Sequence, residues 1–174
     1  MASIDVLISK EKIEERIKEL GVEISKDYAN KEICLICVLK GGVVFMTDLA
    51  KELTPLVSLD FMAVSSYGNE TSSSGIVKIV KDLDEPIEGK DVIIVEDIID
   101  SGRTLSYLLK VLNGRKPNSL KICTMLDKPD RRVVNVDVKY VGFSIPDEFV
   151  IGYGLDYMQN YRNLPYIGIM KGVE

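Results

Sequence analysis

The chain has 174 residues, 46% of them hydrophobic and 28% charged, which suits one compact domain with a real core, and no stretch reaches the ~20 apolar residues of a membrane span. A net charge of -5, with Lys and Arg scattered, leaves no basic field for nucleic acid. The absence of histidine removes imidazole bases, His-paired nucleophiles and His metal sites together, so carboxylates and lysines must carry any chemistry.

The N-terminus turns charged at Lys10-Glu11-Lys12 before a signal-like apolar region develops, so we expect a cytoplasmic protein that meets no membrane. The sequon Asn69-Glu70-Thr71 then reads as chance. Ser9 can cap a helix whose apolar positions Ile13, Ile17, Leu20, Ile24 and Tyr28 step by three and four, with Gly21 inside it. Ile33 to Leu39 reads as a buried strand, Lys40-Gly41-Gly42 as a tight turn, and Val43 to Leu53 as a helix closed by Thr54-Pro55. The pair in Cys34-Leu35-Ile36-Cys37 sits three apart on that strand and points to opposite faces, which suits core thiols better than a redox pair or a zinc site.

Val57 to Val64 and Ile76 to Lys81 read as strands around a polar, serine-rich loop, Ser65 to Gly75. Asp91 to Val95 is the most hydrophobic strand; an acidic loop follows, then a helix with Leu105, Leu108, Leu109 and Leu112 on one side, then a strand from Leu120 to Leu126. The last third reads as short strands broken by Gly and Pro. Strands separated by helices imply an α/β fold: a mostly parallel twisted sheet with helices on both faces, binding ligands at the carboxyl ends of its strands.

The strongest chemical signal is Val92-Ile93-Ile94-Val95-Glu96-Asp97-Ile98-Ile99-Asp100-Ser101-Gly102-Arg103-Thr104. A buried strand delivers Glu96 and Asp97 at its end, and a short loop presents Asp100, Ser101, Gly102, Arg103 and Thr104 at a helix start. There, free backbone N–H groups, a permissive glycine and hydroxyl donors suit a phosphate, and the acids suit ribose hydroxyls and magnesium. The plain alternative is a strand end with solvated acids and a capped helix, Asp100 being the cap. A P-loop of the form G-x-x-x-x-G-K-[ST] is missing, and Gly152-Tyr153-Gly154 lacks the third glycine of a dinucleotide fingerprint, so nucleotide hydrolase and dinucleotide-binding readings fall behind.

This segment resembles the phosphoribosyl diphosphate (PRPP) signature of type I phosphoribosyltransferases, in the Glu-Asp-Ile-Ile-Asp form of the hypoxanthine-guanine branch. Leu39-Lys40-Gly41-Gly42, Ser66-Tyr67, and Val141 to Tyr157 with Arg162 extend the resemblance over nearly the whole chain. Ser101 and Arg103 stand where some members have threonine and lysine. The resemblance implies a single domain over 1–174, with a lid about 65–76 holding Ser66 and Tyr67, and a small hood formed by the chain ends to which 141–174 contribute. It implies Asp100 as general base near purine N7, residues 100–104 on the 5-phosphate, and Glu96 and Asp97 on ribose and Mg²⁺. Lys40, Gly41, Gly42 and Arg162 would meet the diphosphate, with a non-proline cis peptide before Lys40. Lys128, Phe149, Val150 and Asp156 would meet the purine: Lys128 donating to its exocyclic oxygen, Phe149 stacking, Val150 meeting the base edge, and Asp156 also linked to the metal through water.

Read without the family, Phe149 and Val150 open an apolar run and pass for core, while Lys128, Asp156 and Arg162 pass for surface charge. The implied activity is purine salvage: Mg²⁺-dependent transfer of the phosphoribosyl group from PRPP to hypoxanthine or guanine, giving IMP or GMP and diphosphate, by a homodimer or homotetramer. A PRPP-sensing regulator that binds nucleic acid would need a basic face, which this acidic chain lacks. Adenine is disfavoured because an ammonium donates to an oxygen but repels an amino group.

Overall fold

The computed structural model describes residues 3–66 and 77–172. In chain order the elements are β1 (Ser3–Ile8), α1 (Lys10–Asp27), β2 (Glu32–Val38), α2 (Val43–Lys51), β3 (Leu56–Ser66), β4 (Val77–Lys81) and β5 (Asp91–Ile99). They continue as α3 (Arg103–Asn113), β6 (Ser119–Asp127), a 3₁₀ turn (Pro129–Arg131), β7 (Tyr140–Ser144), β8 (Val150–Ile151) and β9 (Ile167–Lys171).

The main sheet has the order β4-β3-β2-β5-β6-β7, parallel throughout except for β4, which pairs antiparallel at one edge. Both faces are covered, as the continuous apolar runs of β2 and β5 require. On one face α1 and α2 pack Ile13, Ile17, Leu20, Phe45 and Leu49 against Leu35, Cys37 and Val95. On the other, α3 packs Leu105, Leu108 and Leu112 against Cys34, Ile36 and Ile94. The strand alternation therefore sends Cys34 and Cys37 into different cores. All three cysteines are free and buried, and burial pushes the Cys37 thiol up to about 12, so these are packing residues.

Ser9 caps α1 by accepting from the Lys12 N–H at 3.3 Å, and the helix carries Gly21 where a Cβ would stand 2.7 Å from that of Glu52. Helix α2 stops at Lys51, short of the Leu53 that the sequence pattern suggests. The strand β1, which local pattern does not announce, pairs antiparallel with β9, and β9 with β8, forming a small three-stranded sheet from the two chain ends, as the implied hood requires. Among the described residues no helix is long and apolar enough to cross a membrane.

Candidate active site

Most of the predicted site residues lie at or just beyond the carboxyl ends of β2, β5 and β6 or in the chain segment from 149 to 162. β5 runs on to Ile99, beyond the expected end at Val95, because its neighbour β6 stays in register as far as Ile99 opposite Asp127. Glu96 and Asp97 thus lie within the strand and face opposite ways. Glu96, 9% exposed, lines a cavity of about 250 Å³ with Val38, Ile99, Ser101 and Thr104, whereas Asp97 lies against Gly41. Burial, then the neighbouring Asp97 charge, raises the Glu96 carboxyl well above the ordinary carboxylate range. Burial lifts Asp97 to about 6, against the pull of the Ile98 N–H that its Oδ1 accepts at 2.9 Å and of the Arg162 charge. Each acid is thus costly to ionise where it stands, and a nearby cation would offset that cost.

The loop after β5 is built to expose backbone. Gly102 has φ of +82°, and a Cβ there would stand 2.6 Å from the Val134 carbonyl, so only glycine fits. The Ser101 carbonyl accepts from the Val133 and Val134 N–H groups at 2.9 and 3.0 Å, and Arg132 Nε donates to the Asp100 carbonyl at 3.2 Å while its guanidinium pairs with Asp127. The residue capping α3 is Gly102, without a side-chain bond, which removes the alternative of Asp100 as the helix cap. Ser101 Oγ accepts from the Arg103 N–H at 3.3 Å. Gly102, Thr104 and Leu105 at the start of α3 line the same cavity, at the end of the helix that carries a partial positive charge.

Lys128 departs from the surface-charge reading: it is 8% exposed, held by its N–H to the Ile99 carbonyl at 3.0 Å. Its ammonium lies 3.8 Å from both Asp100 Oδ1 and Asp147 Oδ1, and Asp147 also pairs with Arg131 at 3.5 Å. Phe149 departs from the core reading, being 48% exposed with its ring edge-on to Tyr157 at 5.8 Å; Val150, in β8, is buried. The ammonium and the Asp100 carboxylate thus stand together, and the Phe149 ring is open to solvent.

On the other side, the Leu39–Lys40 peptide is cis and Gly42 precedes α2. A Cβ on Gly41 would stand 1.8 Å from Asp97 Oδ2, and one on Gly154 2.1 Å from the Gly41 carbonyl, so the loop is clamped between β5 and the hood. Arg162 donates to the Gly154 carbonyl at 2.7 Å and pairs with Asp156 at 3.0 Å; Lys40 Nζ donates to Gln159 Oε1 at 3.2 Å. Asp156 Oδ2 accepts from the Gln159 N–H at 2.8 Å. Of the lid, Ser66 ends β3, and Tyr67 lies outside the described residues.

Local sequence reasoning missed Asp127, Arg131, Arg132 and Asp147, which buttress the loop and Lys128. The clustering of charge in Asp127-Lys128-Pro129-Asp130-Arg131-Arg132 after a strand was the available signal. A larger cavity, about 540 Å³, opens at the amino ends of β2, β3 and β5, away from all of these groups. Sheets of this kind use the other end, and we assign the chemistry there.

A family profile described as "Phosphoribosyl transferase domain" matches residues 4–158. The chain is 55% identical over 166 residues to the hypoxanthine-guanine phosphoribosyltransferase of Bacillus subtilis (strain 168), covering 95% of this chain and 92% of that one. It is also 55% identical to part of the bifunctional protein TilS/HprT of Listeria monocytogenes serotype 4b, of whose length it spans about a quarter (26%). The crystal structure of a hypoxanthine phosphoribosyltransferase from Staphylococcus aureus superposes with a TM-score of 0.93 at 52% identity, covering 96% of this chain and 91% of that one. Profile, sequence and fold agree along almost the full chain, and it belongs to the phosphoribosyl transferase family, in the hypoxanthine-guanine branch.

Proposed function

We propose that this chain is a purine-salvage enzyme, one domain over 1–174, that transfers the phosphoribosyl group of PRPP to hypoxanthine or guanine, giving IMP or GMP and diphosphate. The observation that carries the reading is the meeting of buried Lys128 with Asp100 at the lip of the 100–104 loop. It supplies a cationic donor for the purine oxygen and a carboxylate for its N7 proton where base and sugar must join.

In this reading residues 100–104 hold the 5-phosphate through first-turn amides and the Ser101 and Thr104 hydroxyls. Lys128 donates to O6, Phe149 stacks on the ring and Val150 meets its edge. Asp100 takes the N7 proton, which leaves N9 more nucleophilic toward ribose C1. The bond from C1 to diphosphate breaks as the bond from N9 forms, and the amides of Lys40, Gly41 and Gly42 with Arg162 receive the charge developing on the leaving group. Glu96 and Asp97 would hold the ribose hydroxyls and Mg²⁺, with Asp156 as a further metal-linked carboxylate, and Mg²⁺ when bound would neutralise charge on the diphosphate. Among the described residues no cluster of three or more acidic, Cys or His side chains could hold a metal alone. Mg²⁺ takes ligands from substrate and water as well as from one or two carboxylates. The same reading gives Ser66 and Tyr67, the latter outside the described residues, to a lid that would exclude water; a cytoplasmic location fits the free thiols, and assembly as a homodimer or homotetramer completes the proposal.

The test is a panel of hypoxanthine, guanine, xanthine, adenine and uracil, each with PRPP and magnesium, reading nucleotide formed. Strong turnover of the first two and none of adenine is expected. Turnover confined to adenine or uracil would refute the base assignment, and no consumption of PRPP with any base would refute the activity.

A further inference from the structure

We propose that Tyr153 and Asp48 form a positioning pair that fixes the Lys40–Gly42 loop against Asp97 and so sets affinity for the diphosphate end of PRPP. The inference rests on the reading of that loop as the diphosphate site. Tyr153 is 5% exposed and donates its hydroxyl to Asp48 Oδ2 at 2.5 Å. Burial, then this bond, pushes the phenol well above its ordinary range, so it stays a donor at every working pH.

The turn that carries it is unusual. Gly152, Tyr153 and Gly154 have φ of +93°, +50° and +96°, and a tyrosine in the left-handed region persists only where its surroundings impose that conformation. Two main-chain bonds, Tyr153 N–H to the Leu164 carbonyl at 2.8 Å and Gly154 N–H to the Arg162 carbonyl at 2.9 Å, hold the turn to the hood. Nothing in those bonds fixes it to the main sheet. Apolar packing of Tyr153 and Leu155 in the core that includes Phe45 and Met46 does so without direction, and two contacts add direction: Gly154 seated on the Gly41 carbonyl, and the Tyr153 hydroxyl on Asp48. Asp48 lies on α2, the helix into which the Lys40–Gly42 loop leads. The turn is thus attached to the loop at Gly41 and to the helix behind it, and the second attachment restricts rotation about the first. Without the hydroxyl bond the Tyr153 ring stays packed but loses its directional anchor, the turn can shift by a fraction of an ångström, and Gly41, packed on Asp97 from the other side, loses part of its backstop. Asp48 Oδ1 separately pairs with Lys51 at 3.0 Å, a 72% exposed side chain. Exposed pairs contribute little, so Lys51 serves as a control.

Tyr153→Phe removes one oxygen and keeps the packing. We expect KM for PRPP to rise about tenfold while KM for hypoxanthine changes less than about twofold, the size of a sub-ångström misplacement of a binding loop. Asp48→Ala should reproduce this split, Asp48→Asn, which still accepts from the phenol, should restore most of the affinity, and Lys51→Ala should leave both constants unchanged. The double variant Tyr153→Phe/Asp48→Ala should be no worse than either single one. KM does not depend on the amount of active enzyme, so partial unfolding of a variant cannot imitate the split. Equal rises in both KM values, unchanged KM for PRPP, or additive effects in the double variant would each overturn the pairing in an active wild-type enzyme. A wild-type chain that does not consume PRPP would overturn the functional reading and this inference with it.

Discussion

Asp100 is 48% exposed at its side chain, lies 3.8 Å from the Lys128 ammonium and does not cap the helix that follows it. Its replacement by asparagine therefore removes a proton acceptor and no capping bond. We expect Asp100→Asn to lower kcat by roughly 10² or more, the scale of a general base, with the melting temperature nearly unchanged. Partial recovery at high pH, where the purine is already deprotonated, would identify proton removal as the missing step; wild-type kcat at neutral pH would end that assignment. Lys128→Met tests the partner group. A hydrogen bond to a charged donor is worth ~1.5 to 3 kcal/mol, so the preference for hypoxanthine over adenine should fall by about one to two orders of magnitude. An unchanged ratio in a base-competition assay would show that the lysine serves only to neutralise Asp100 and Asp147.

At the scale of the element, the turn from β5 into α3 couples strand pairing to ligand binding. Its shape depends on Gly102 in the left-handed region against the Val134 carbonyl and on the Ser101 carbonyl held by Val133 and Val134. Gly102→Ala adds a methyl group in a region that costs ~1 to 2 kcal/mol for an L-residue, before the clash is counted. The expected result is a melting temperature lower by several degrees together with a raised KM for PRPP, read by calorimetry and kinetics on the same preparation. A variant that melts with the wild type would mean the loop can shift off Val134. The element also shows why β5 reads as shorter than it is. Glu96 and Asp97 look like a loop because acids are poor strand formers, yet pairing with β6 as far as Ile99 overrides that preference.

For the molecule as a whole, the acid pair at the centre of the sheet links stability to pH and metal. Folding raises Asp97 to about 6 and Glu96 well above its ordinary range, so the folded chain binds more protons than the unfolded one. The contribution of the pair is therefore favourable at low pH and is lost as pH rises from about 4 through 6 and above. Asp60, Asp82 and Asp91, all lowered, act in the opposite sense and lose their contribution as pH falls. A cation offsets the first cost only where the acids are ionised, so on the proposed reading Mg²⁺ with diphosphate should raise the melting temperature more at about pH 7.5 than at about pH 5. Asp97→Asn should shrink that difference and raise KM for PRPP more than that for the purine, and EDTA should abolish turnover. Equal stabilisation at both pH values would place the metal elsewhere.

What depends on neighbours along the chain was legible before folding is considered. The apolar period of α1, its Ser9 cap, the buried strands, and the acid-rich strand-to-helix turn with its glycine are local consequences of side-chain spacing and backbone freedom. What depends on distant partners emerged only with the packing of the chain. Pairing of β1 with β9 joins the two ends of the chain, and neither strand carries enough apolar alternation to declare itself alone. Burial of Lys128 between Asp100 and Asp147, exposure of Phe149, and the stacking of Gly154 on Gly41 and of Gly41 on Asp97 were likewise invisible, since charge and ring look the same in sequence whether solvated or enclosed. Residue type sets what a group can do, and only the packing of remote segments sets how much water, and which charge, stands beside it.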